Sequence, residues 1–438
     1  MNDLHAMARR AIIYALPVYE MARMRSSSTL RKTPRGEYAD AQGGPESLRR
    51  WINLFSHSRR LLNASDRRVV TPNNDTLYTN AWLDLSQGPL CIHTPDTGSR
   101  YYVLGLIDIF TNPFAHLGTR TTGNAAQKFW LCGPQWQGEV PAGYTAVPCP
   151  TDSVWVLGRI LAHADEDMAP VHALQDAFAI TTPDGQPAQR VCECSVQPQA
   201  LPQDAATFVR VVNHEMAINP PPSSDAPELQ AWAALGIGIG PGLPVPTDLR
   251  LLQQALTETL QELDTPTEAD LQGGWKAAVE VQDNFNGDWL TRARVARAYI
   301  GILGAHEVLY LLAFRDSQGQ VLHGGSHYKL RFPPGGLPQV GAFWSLTLYR
   351  KADYLFYDHP EQRYAIGDRT PGLSNDADGG LTLWLGHLPP HQPSNWLPAP
   401  NEAFYVAIRL YLPHAVHQQG LYHYPPIERI GAGYMVSP

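Results

Sequence analysis

The sequence lacks the short motifs that mark several large enzyme classes. It contains no G-x-S-x-G nucleophile elbow, no Rossmann fingerprint and no phosphate loop ending in G-K-[ST]. His214-Glu215 and His306-Glu307 each begin the H-E-x-x-H zinc signature, but its second histidine is replaced by Ile218 and Tyr310. Standard α/β-hydrolases, dinucleotide-binding enzymes, phosphate-loop proteins and zinc peptidases are therefore not supported at the motif level.

Cysteine and positive charge are both scarce. The five cysteines, at positions 91, 132, 149, 192 and 194, include no C-x-x-C pair, and an odd number cannot pair completely within one chain. We therefore expect free thiols in a reducing compartment and no disulfide framework. The formal net charge of -8 argues against a nucleic-acid partner, because such a partner requires a basic surface.

Long apolar runs are also missing. Near the N-terminus the apolar stretch from Ala11 to Leu16 is broken by Pro17, and Glu20 follows shortly after. This pattern fits neither a secretion signal nor a membrane span, so we expect a cytoplasmic protein without a membrane partner.

The chain does have ample material for packed cores and many turns. Its 438 residues are 44% hydrophobic, with 38 prolines and 36 glycines. A chain of this length predicts two or three domains, and the high proline and glycine content favours short strands joined by turns.

Hydrophobic periodicity divides the chain into four parts. Residues 1–64 are predicted to be helical, with one helix that Pro17 kinks or ends. A second predicted helix follows Pro45, since Leu48, Trp51, Ile52 and Phe55 have helical spacing.

The other three parts predict a mixed fold that is mainly β with α. Strand patterns with regular turn signals over residues 65–165 predict a β-sandwich, and helical stripes fill residues 166–305. Alternating strands return over residues 306–438, where a jelly-roll sandwich is the simplest architecture. In the strand Phe404 to Leu412, alternate residues place Tyr405, Arg409 and Tyr411 on one face.

A polar run between Pro72 and Leu77 is the strongest candidate for a functional segment. Asn73, Asn74 and Asp75 could orient a polar substrate or supply oxygen ligands to a cation. The alternative is an Asx turn, in which the short side chain bonds its own backbone.

A second candidate is Asp108, a carboxylate on a strand that is apolar on both faces. Buried there, it must be paired, metal-bound or protonated. Asn112 and His116 follow closely in sequence and could assist it. The alternative is that Asp108 bonds a backbone amide or an arginine such as Arg159.

Aromatic residues supply the remaining candidates. Tyr78 could donate its phenol to an oxyanion, although a half-buried strand tyrosine is an equally simple interpretation. Trp344 and Tyr349, with other aromatics of the C-terminal strands, could line a ligand cleft, and core packing explains them as well.

These motifs resemble a family of two domains of unknown function. Thr71 to Tyr78, with Asp108 and Asn112, is similar to the N-terminal domain numbered 1254. Ala342 to Tyr349, Tyr364 to Thr370 and Asn395 to Pro400 are similar to its usual C-terminal partner, the domain numbered 1214. The resemblance implies an immunoglobulin-like sandwich, a helical middle region and a jelly roll, with hydrolase activity proposed for some members.

Three functions remain open from the sequence. The first is hydrolysis of a small polar or ester-like substrate, with Asp108 as base, Asn74 and Tyr78 as hydrogen-bond donors, and Asp75 or His116 assisting. The second is a divalent-metal enzyme at the same site, with Asp75, Asp108 and His116 as ligands. The third is a non-catalytic protein that binds a small molecule or carbohydrate. A homo-oligomer is also expected, because two sandwiches leave many edge strands.

Overall fold

A computed structural model describes residues 3–39, 47–67, 70–163, 167–239, 248–264, 269–270, 272–277, 285–390 and 393–431. In these ranges the chain forms two β-sandwiches with a group of helices packed beside the first, which confirms the predicted mixed, mainly β fold class. The helices are α1 (Asp3–Ser28), α2 (Met168–Ala177), α3 (Ala205–Ile218), α4 (Ala226–Trp232), α5 (Leu249–Leu263), α6 (Trp289–Ala298) and α7 (Ala415–Gln418).

The N-terminal half contains eleven of the described strands. They are β1 (Arg49–Ile52), β2 (Ser56–His57), β3 (Thr76–Asp84), β4 (Leu90–Thr94), β5 (Tyr102–Asp108), β6 (Pro113–Gly118), β7 (Gln127–Cys132), β8 (Thr145–Pro148), β9 (Ser153–Leu161), β10 (Ala179–Thr181) and β11 (Arg190–Glu193). One sheet has the order β2-β3-β9-β5-β6 and faces a second sheet of order β10-β4-β7-β8.

The central strands β5 and β9 are buried along their whole length. One face, including Leu104 and Val156, packs against the second sheet. The opposite face, including Ile107 and Trp155, packs against the helices. Strands covered on both sides need apolar residues at nearly every position, which explains why they lack polar alternation.

Helix α1 forms the centre of the helical group. Residues on nearly all of its sides are buried, and α3, α5 and α6 pack around it. The helix continues past Pro17 to Ser28, so the prediction that this proline could end it is wrong. Because a helix enclosed by neighbours is held by packing, it tolerates the loss of one backbone hydrogen bond.

The predicted second helix is absent from the described residues 47–67. Residues Arg49–Ile52 form β1, which pairs with β11 about 140 residues later, and Ser56–His57 form β2 beside β3. Long-range pairing overrides the local spacing, because strand formation depends on the partner that the fold supplies.

The C-terminal half forms the second sandwich. Its strands are β12 (Ala269–Asp270), β13 (Trp275–Ala277), β14 (Val308–Ala313), β15 (His327–Phe332), β16 (Val340–Arg350), β17 (Ala365–Gly367), β18 (Leu381–Gly386), β19 (Trp396–Pro398), β20 (Phe404–Pro413) and β21 (Ile427–Ile430). A sheet of order β12-β13-β14-β20-β16-β17 packs on one of order β19-β18-β15-β21 around an apolar core.

The two sandwiches meet along a joint apolar cluster. Tyr101 directly precedes β5 and packs edge-on against Phe343 on β16 and Tyr411 on β20, and Val103 belongs to the same cluster. The outer face of the larger C-terminal sheet is therefore buried against the N-terminal sandwich, and polar residues on that face are enclosed with it.

Among the described residues, no helix combines the length and the apolar character that crossing a membrane requires.

Candidate functional site between the two sandwiches

The polar run around Asn73 lies at this junction, where it enters strand β3. Asn73 is buried, and its side-chain oxygen accepts the backbone N–H groups of Asp75 at 2.6 Å and Thr76 at 3.2 Å. This is the Asx turn that the sequence offered as the alternative. The Asn73 amide also donates to the Tyr411 hydroxyl at 2.6 Å, so the turn is fastened to the C-terminal sandwich.

The residues just before the turn are held by the same C-terminal face. The carbonyl of Pro72 accepts the Tyr349 hydroxyl at 2.6 Å, and that of Thr71 accepts Arg409 Nη2 at 3.0 Å. Thr71 has a φ of 50°, which is unfavourable for a β-branched residue. Its hydroxyl lies 2.8 Å from the Tyr405 hydroxyl. A strained conformation persists only where surrounding contacts enforce it. Residues 71–75 therefore form a firm attachment of the N-terminal sandwich to the C-terminal one.

Asp75 is the charged member of the attachment. It is 4% exposed. One carboxylate oxygen accepts Arg369 Nη2 at 2.7 Å, and the other accepts the Ser345 hydroxyl at 2.7 Å. Burial raises the pKa of the neighbouring Asp368 to about 6, with the charge of Asp75 contributing. Both carboxylate oxygens of Asp75 are therefore bonded to residues of the C-terminal sandwich.

Arg159 lies next to the attachment, on the outer face of β9. It is 5% exposed, stands opposite Tyr78 in the sheet, and its guanidinium carbon is 5.6 Å from the Tyr78 ring centre. It donates to the Tyr310 hydroxyl at 2.7 Å and more weakly to the Gly301 carbonyl at 3.4 Å. Among the described residues, no carboxylate is hydrogen-bonded to this guanidinium.

A second enclosed guanidinium belongs to Arg409 on β20. It donates to the Thr347 hydroxyl at 2.9 Å and to the Thr71 carbonyl, and its carbon is 5.9 Å from the Tyr310 ring centre. Burial lowers the pKa of Arg409, and the charge of Asp75 is among the interactions that raise it. The junction therefore holds two buried arginines near one tyrosine, Tyr310.

Glu307 is a buried carboxylate near Arg159. It accepts the Tyr101 hydroxyl at 2.9 Å and Arg120 Nε at 2.7 Å. Burial raises its pKa, while Arg120, Tyr101 and the more distant Arg159 lower it. Its oxygens are occupied by these two partners, so Glu307 acts on Arg159 only through its field.

Asp108 lies elsewhere, in the tight turn between β5 and β6. Oδ1 accepts the backbone N–H groups of Phe110 and Asn112, each at 2.9 Å, and Oδ2 accepts the Asn112 side-chain amide at 2.8 Å. Burial raises the pKa of Asp108, while these bonds and nearby Arg292 lower it. Asp108 and Asn112 thus hold a turn together, and the suggested partner Arg159 is not involved.

Strand direction explains why Asp75 and Asp108 are far apart. Both β3 and β5 run antiparallel to β9, and Asp75 lies beside Ala162 whereas Asp108 pairs with Val154. Eight residues at about 3.3 Å each separate them by roughly 25 Å. The single site that combines Asp75, Asp108 and His116 is therefore not formed.

The other predicted residues divide between the two regions. Tyr78 is half-buried beside Arg159, and Asn74 donates to the Leu62 carbonyl at 2.5 Å. His116 lies on the edge strand β6, opposite Gly105 about halfway along β5, and is therefore away from both aspartates. Tyr349 faces the junction as a buried donor, but Trp344 points into the C-terminal core, so an aromatic cleft that includes both is wrong.

The predicted metal site is not supported by the side-chain positions. Within the described ranges no group of three or more His, Cys, Asp or Glu side chains converges as metal ligands do. The three suggested ligands lie in three different places along the sheet.

Two family models match the chain at the two sandwiches. The model described as protein of unknown function DUF1254 matches residues 52–182, and the one described as protein of unknown function DUF1214 matches residues 307–415. The chain is a DUF1254–DUF1214 protein.

A solved structure shares this fold. The VPA0106 protein from Vibrio parahaemolyticus is 24% identical, with a TM-score of 0.73 over 98% of this chain and 100% of the other. An uncharacterized protein from Burkholderia cenocepacia is 12% identical, with a TM-score of 0.43 over 96% of this chain and 88% of the other. No curated protein matches.

The sequence reasoning missed the arginines that the DUF1254 and DUF1214 domains bring together. Arg159 is a charged residue within the otherwise apolar strand Ser153–Leu161, and Asp108 is a charged residue at the end of another apolar strand. Applying the buried-charge argument to both strands would have found it. The interdomain partners Ser345 and Arg369 carry no comparable local signal, because their importance depends on contact with Asp75.

The DUF1254 domain also contains a cavity of about 370 Å³ that the sequence did not indicate. Phe55, Phe178 and Ile180 form apolar walls, and His57 and Arg59 supply polar groups. His57 Nδ1 lies 3.1 Å from the hydroxyl of buried Thr79. Burial lowers the pKa of His57 to about 4, with the charge of Arg59 contributing, so the imidazole is neutral near pH 7.

Proposed function

We propose that this protein binds a small molecule bearing a carboxylate or similar oxyanion, between the two sandwiches. The observation that carries the proposal is the buried guanidinium of Arg159, whose hydrogen-bond partners in the described structure are one tyrosine hydroxyl and one carbonyl. This agrees with the small-molecule-binding alternative and moves its site to the domain junction.

Electrostatics supports an anionic ligand. A buried charge without an opposite charge is costly by several kcal/mol. Arg409 adds a second positive charge near Tyr310, while the carboxylates of Asp75 and Glu307 are each engaged by another arginine. An incoming carboxylate would offset this excess, and the planar guanidinium can bind it through two hydrogen bonds.

The residues around Arg159 also suit a ligand. Tyr78 and Tyr310 are half-buried, and Gly301 is partly exposed, so the guanidinium lies just below the surface. The rings of Tyr78 and Tyr310 provide flat apolar walls, and the Tyr310 hydroxyl can donate a hydrogen bond to the bound anion.

Replacing Arg159 with methionine tests the proposal. We expect Arg159→Met to be at least as stable as the wild type without ligand, because the uncompensated charge is gone. In a thermal-shift panel of small carboxylates and their amides, carboxylates should stabilise the wild type alone. A carboxylate present at 100 times its Kd should raise the free energy of unfolding by about 2.7 kcal/mol.

The controls separate recognition from structure. Arg363→Met removes an arginine that likewise donates to backbone carbonyls, at Pro393, Ser394 and Trp396, and should keep the response. Tyr310→Phe removes one hydroxyl and should weaken it. A wild type that responds equally to carboxylates and amides, or an unchanged response in Arg159→Met, would refute the proposal.

Hydrolysis of a small ester is the second candidate, and the cavity at His57 favours it. A neutral imidazole oriented by Thr79 can act as a general base towards water. This moves the predicted hydrolytic chemistry away from Asp108. The Arg59 charge could stabilise developing negative charge, although Asp176 already pairs with it.

The expected pH profile follows from the lowered pKa of His57. Protonation removes the base, so ester hydrolysis should be constant above about pH 5 and fall as the pH approaches 4. His57→Gln should abolish activity on chromogenic short-chain esters. His93→Gln is the matched control, because His93 also lies 3.0 Å from a threonine hydroxyl, that of Thr181. Activity that instead rises through pH 6.5 would exclude His57.

We further propose a cytoplasmic location and a homo-oligomer. All five cysteines are free, which suits a reducing compartment. The edge strands β6 and β21 offer unpaired backbone groups to a second copy. Cell fractionation that finds the protein outside the cytoplasm would contradict the first proposal. Light scattering that finds a monomer would contradict the second.

A further inference from the structure

Two cysteines lie side by side at the end of β11, outside both family domains. Arg50 on β1 pairs with Cys192, and the backbone N–H of Cys194 donates to the Leu48 carbonyl at 3.0 Å. The chain is therefore still extended at Cys194. Alternate residues of an extended strand share a face, so both thiols point the same way and Glu193 points the opposite way.

The two sulfur atoms share a hydrogen bond near Arg50 and near Arg25, whose guanidinium is paired with Glu215 at 2.6 Å. The bond between the sulfur atoms lowers the pKa of Cys194 to about 7 and raises that of Cys192, and the charges of Arg25 and Arg50 further favour the Cys194 thiolate. Both arginines are buried, at 7% and 5% exposure. Cys194 is enclosed, whereas Cys192 is half-buried and supplies the accessible sulfur.

We propose that Cys192 and Cys194 form a reversible dithiol–disulfide pair that exchanges with low-molecular-weight disulfides. In an extended strand the Cα atoms of residues two apart are separated by about 6.6 Å, near the upper end of the range that a disulfide spans. The bridge forms once this strand end tightens. A constrained disulfide is easily reduced, which is typical of regulatory rather than structural bridges.

The exchange balances in two steps. The Cys194 thiol first releases its proton to solvent, the proton of Cys192 then moves to the Cys194 thiolate along their hydrogen bond, and the Cys192 thiolate attacks the external disulfide. A mixed disulfide forms and one external thiolate leaves, taking the proton of Cys194. The Cys194 thiolate then attacks the Cys192 sulfur and expels the second external thiolate, which is protonated by solvent. Two protein thiols are oxidised and one external disulfide is reduced to two thiols.

The surroundings favour redox chemistry over metal binding at this pair. Arg25 and Arg50 stabilise a thiolate and oppose a metal cation. In the described part of the chain, no third side chain completes a metal-binding group here. By contrast, burial raises the pKa of Cys91, Cys132 and Cys149, so those thiols should be unreactive.

Thiol mapping of the full chain tests the pair. The protein is equilibrated with mixtures of reduced and oxidised glutathione, alkylated and mapped by mass spectrometry. We expect Cys192 and Cys194 to be oxidised together while Cys149 stays reduced. In the reduced protein, alkylation at the accessible Cys192 should be at least about tenfold faster than at Cys149.

Single substitutions distinguish exchange from nonspecific oxidation. Cys194→Ser should trap glutathione on Cys192, because no second thiol can expel it, and Cys132→Ser should behave as the wild type. Circular dichroism confirms that each variant is folded. Oxidation of Cys192 and Cys194 no sooner than Cys149, or no trapped adduct in folded Cys194→Ser, would overturn the proposal.

Discussion

Asp75→Asn should lower the free energy of unfolding by about 3 kcal/mol and weaken the coupling between the two sandwiches. The substitution keeps the size of the side chain but removes its charge from Arg369 and Ser345. Removing one partner of a buried pair typically costs 3 to 5 kcal/mol, and the lower end applies because Arg369 is 21% exposed. Urea unfolding followed by circular dichroism and tryptophan fluorescence measures the effect.

Glu428→Gln is the matched control for this substitution. Glu428 pairs with Lys329 at 3.0 Å on the outer surface of the C-terminal sandwich, where both side chains are at least one-third exposed. Its loss should cost less than about 1 kcal/mol. Equal effects of the two substitutions would mean that the junction does not depend on the Asp75 ion pair.

Asp108→Ala should destabilise the protein by about 3 to 5 kcal/mol without changing the response to carboxylates. It removes three hydrogen bonds from the turn to Asn112 and leaves the buried Arg292 without that negative charge nearby. Bonds to a charged acceptor contribute about 1.5 to 3 kcal/mol each and are not additive. Denaturant unfolding and the thermal-shift panel measure the two properties separately.

Asp96→Ala provides the comparison for Asp108. Asp96 forms the same kind of turn, accepting the Gly98 N–H at 2.7 Å, but it is exposed. Its substitution should cost about 1 kcal/mol or less. A folded Asp108→Ala protein of nearly unchanged stability that loses ligand response or hydrolytic activity would restore Asp108 as a functional residue.

Periodicity predicted the strand Phe404–Pro413 well. Alternation separated Tyr405, Arg409 and Tyr411 from the apolar face, and these three residues do share the face that meets the N-terminal sandwich. The prediction succeeded because the side-chain period of a strand is a local property that needs no knowledge of the partner. What that face covers was not predictable, because the covering segment lies more than 300 residues earlier.

The predicted helix after Pro45 failed for the opposite reason. Trp51 and Ile52 fit a helical spacing, but their backbone pairs with Val191 and Arg190 of β11. A short segment has weak intrinsic preference, and a distant strand that offers ladder hydrogen bonds decides its conformation.

The sequence by itself determined the class of fold, its division into two sandwiches and helices, and the two polar motifs at Asn73 and Asp108. Tertiary structure alone decided that these motifs are separate. Because β3 and β5 both run antiparallel to β9, one motif lies at each end of the sheet. The same topology places Arg159 beside Tyr310 of the other sandwich. A buried charge becomes a candidate site only when the fold shows which opposite charges reach it, and sequence order does not contain that information.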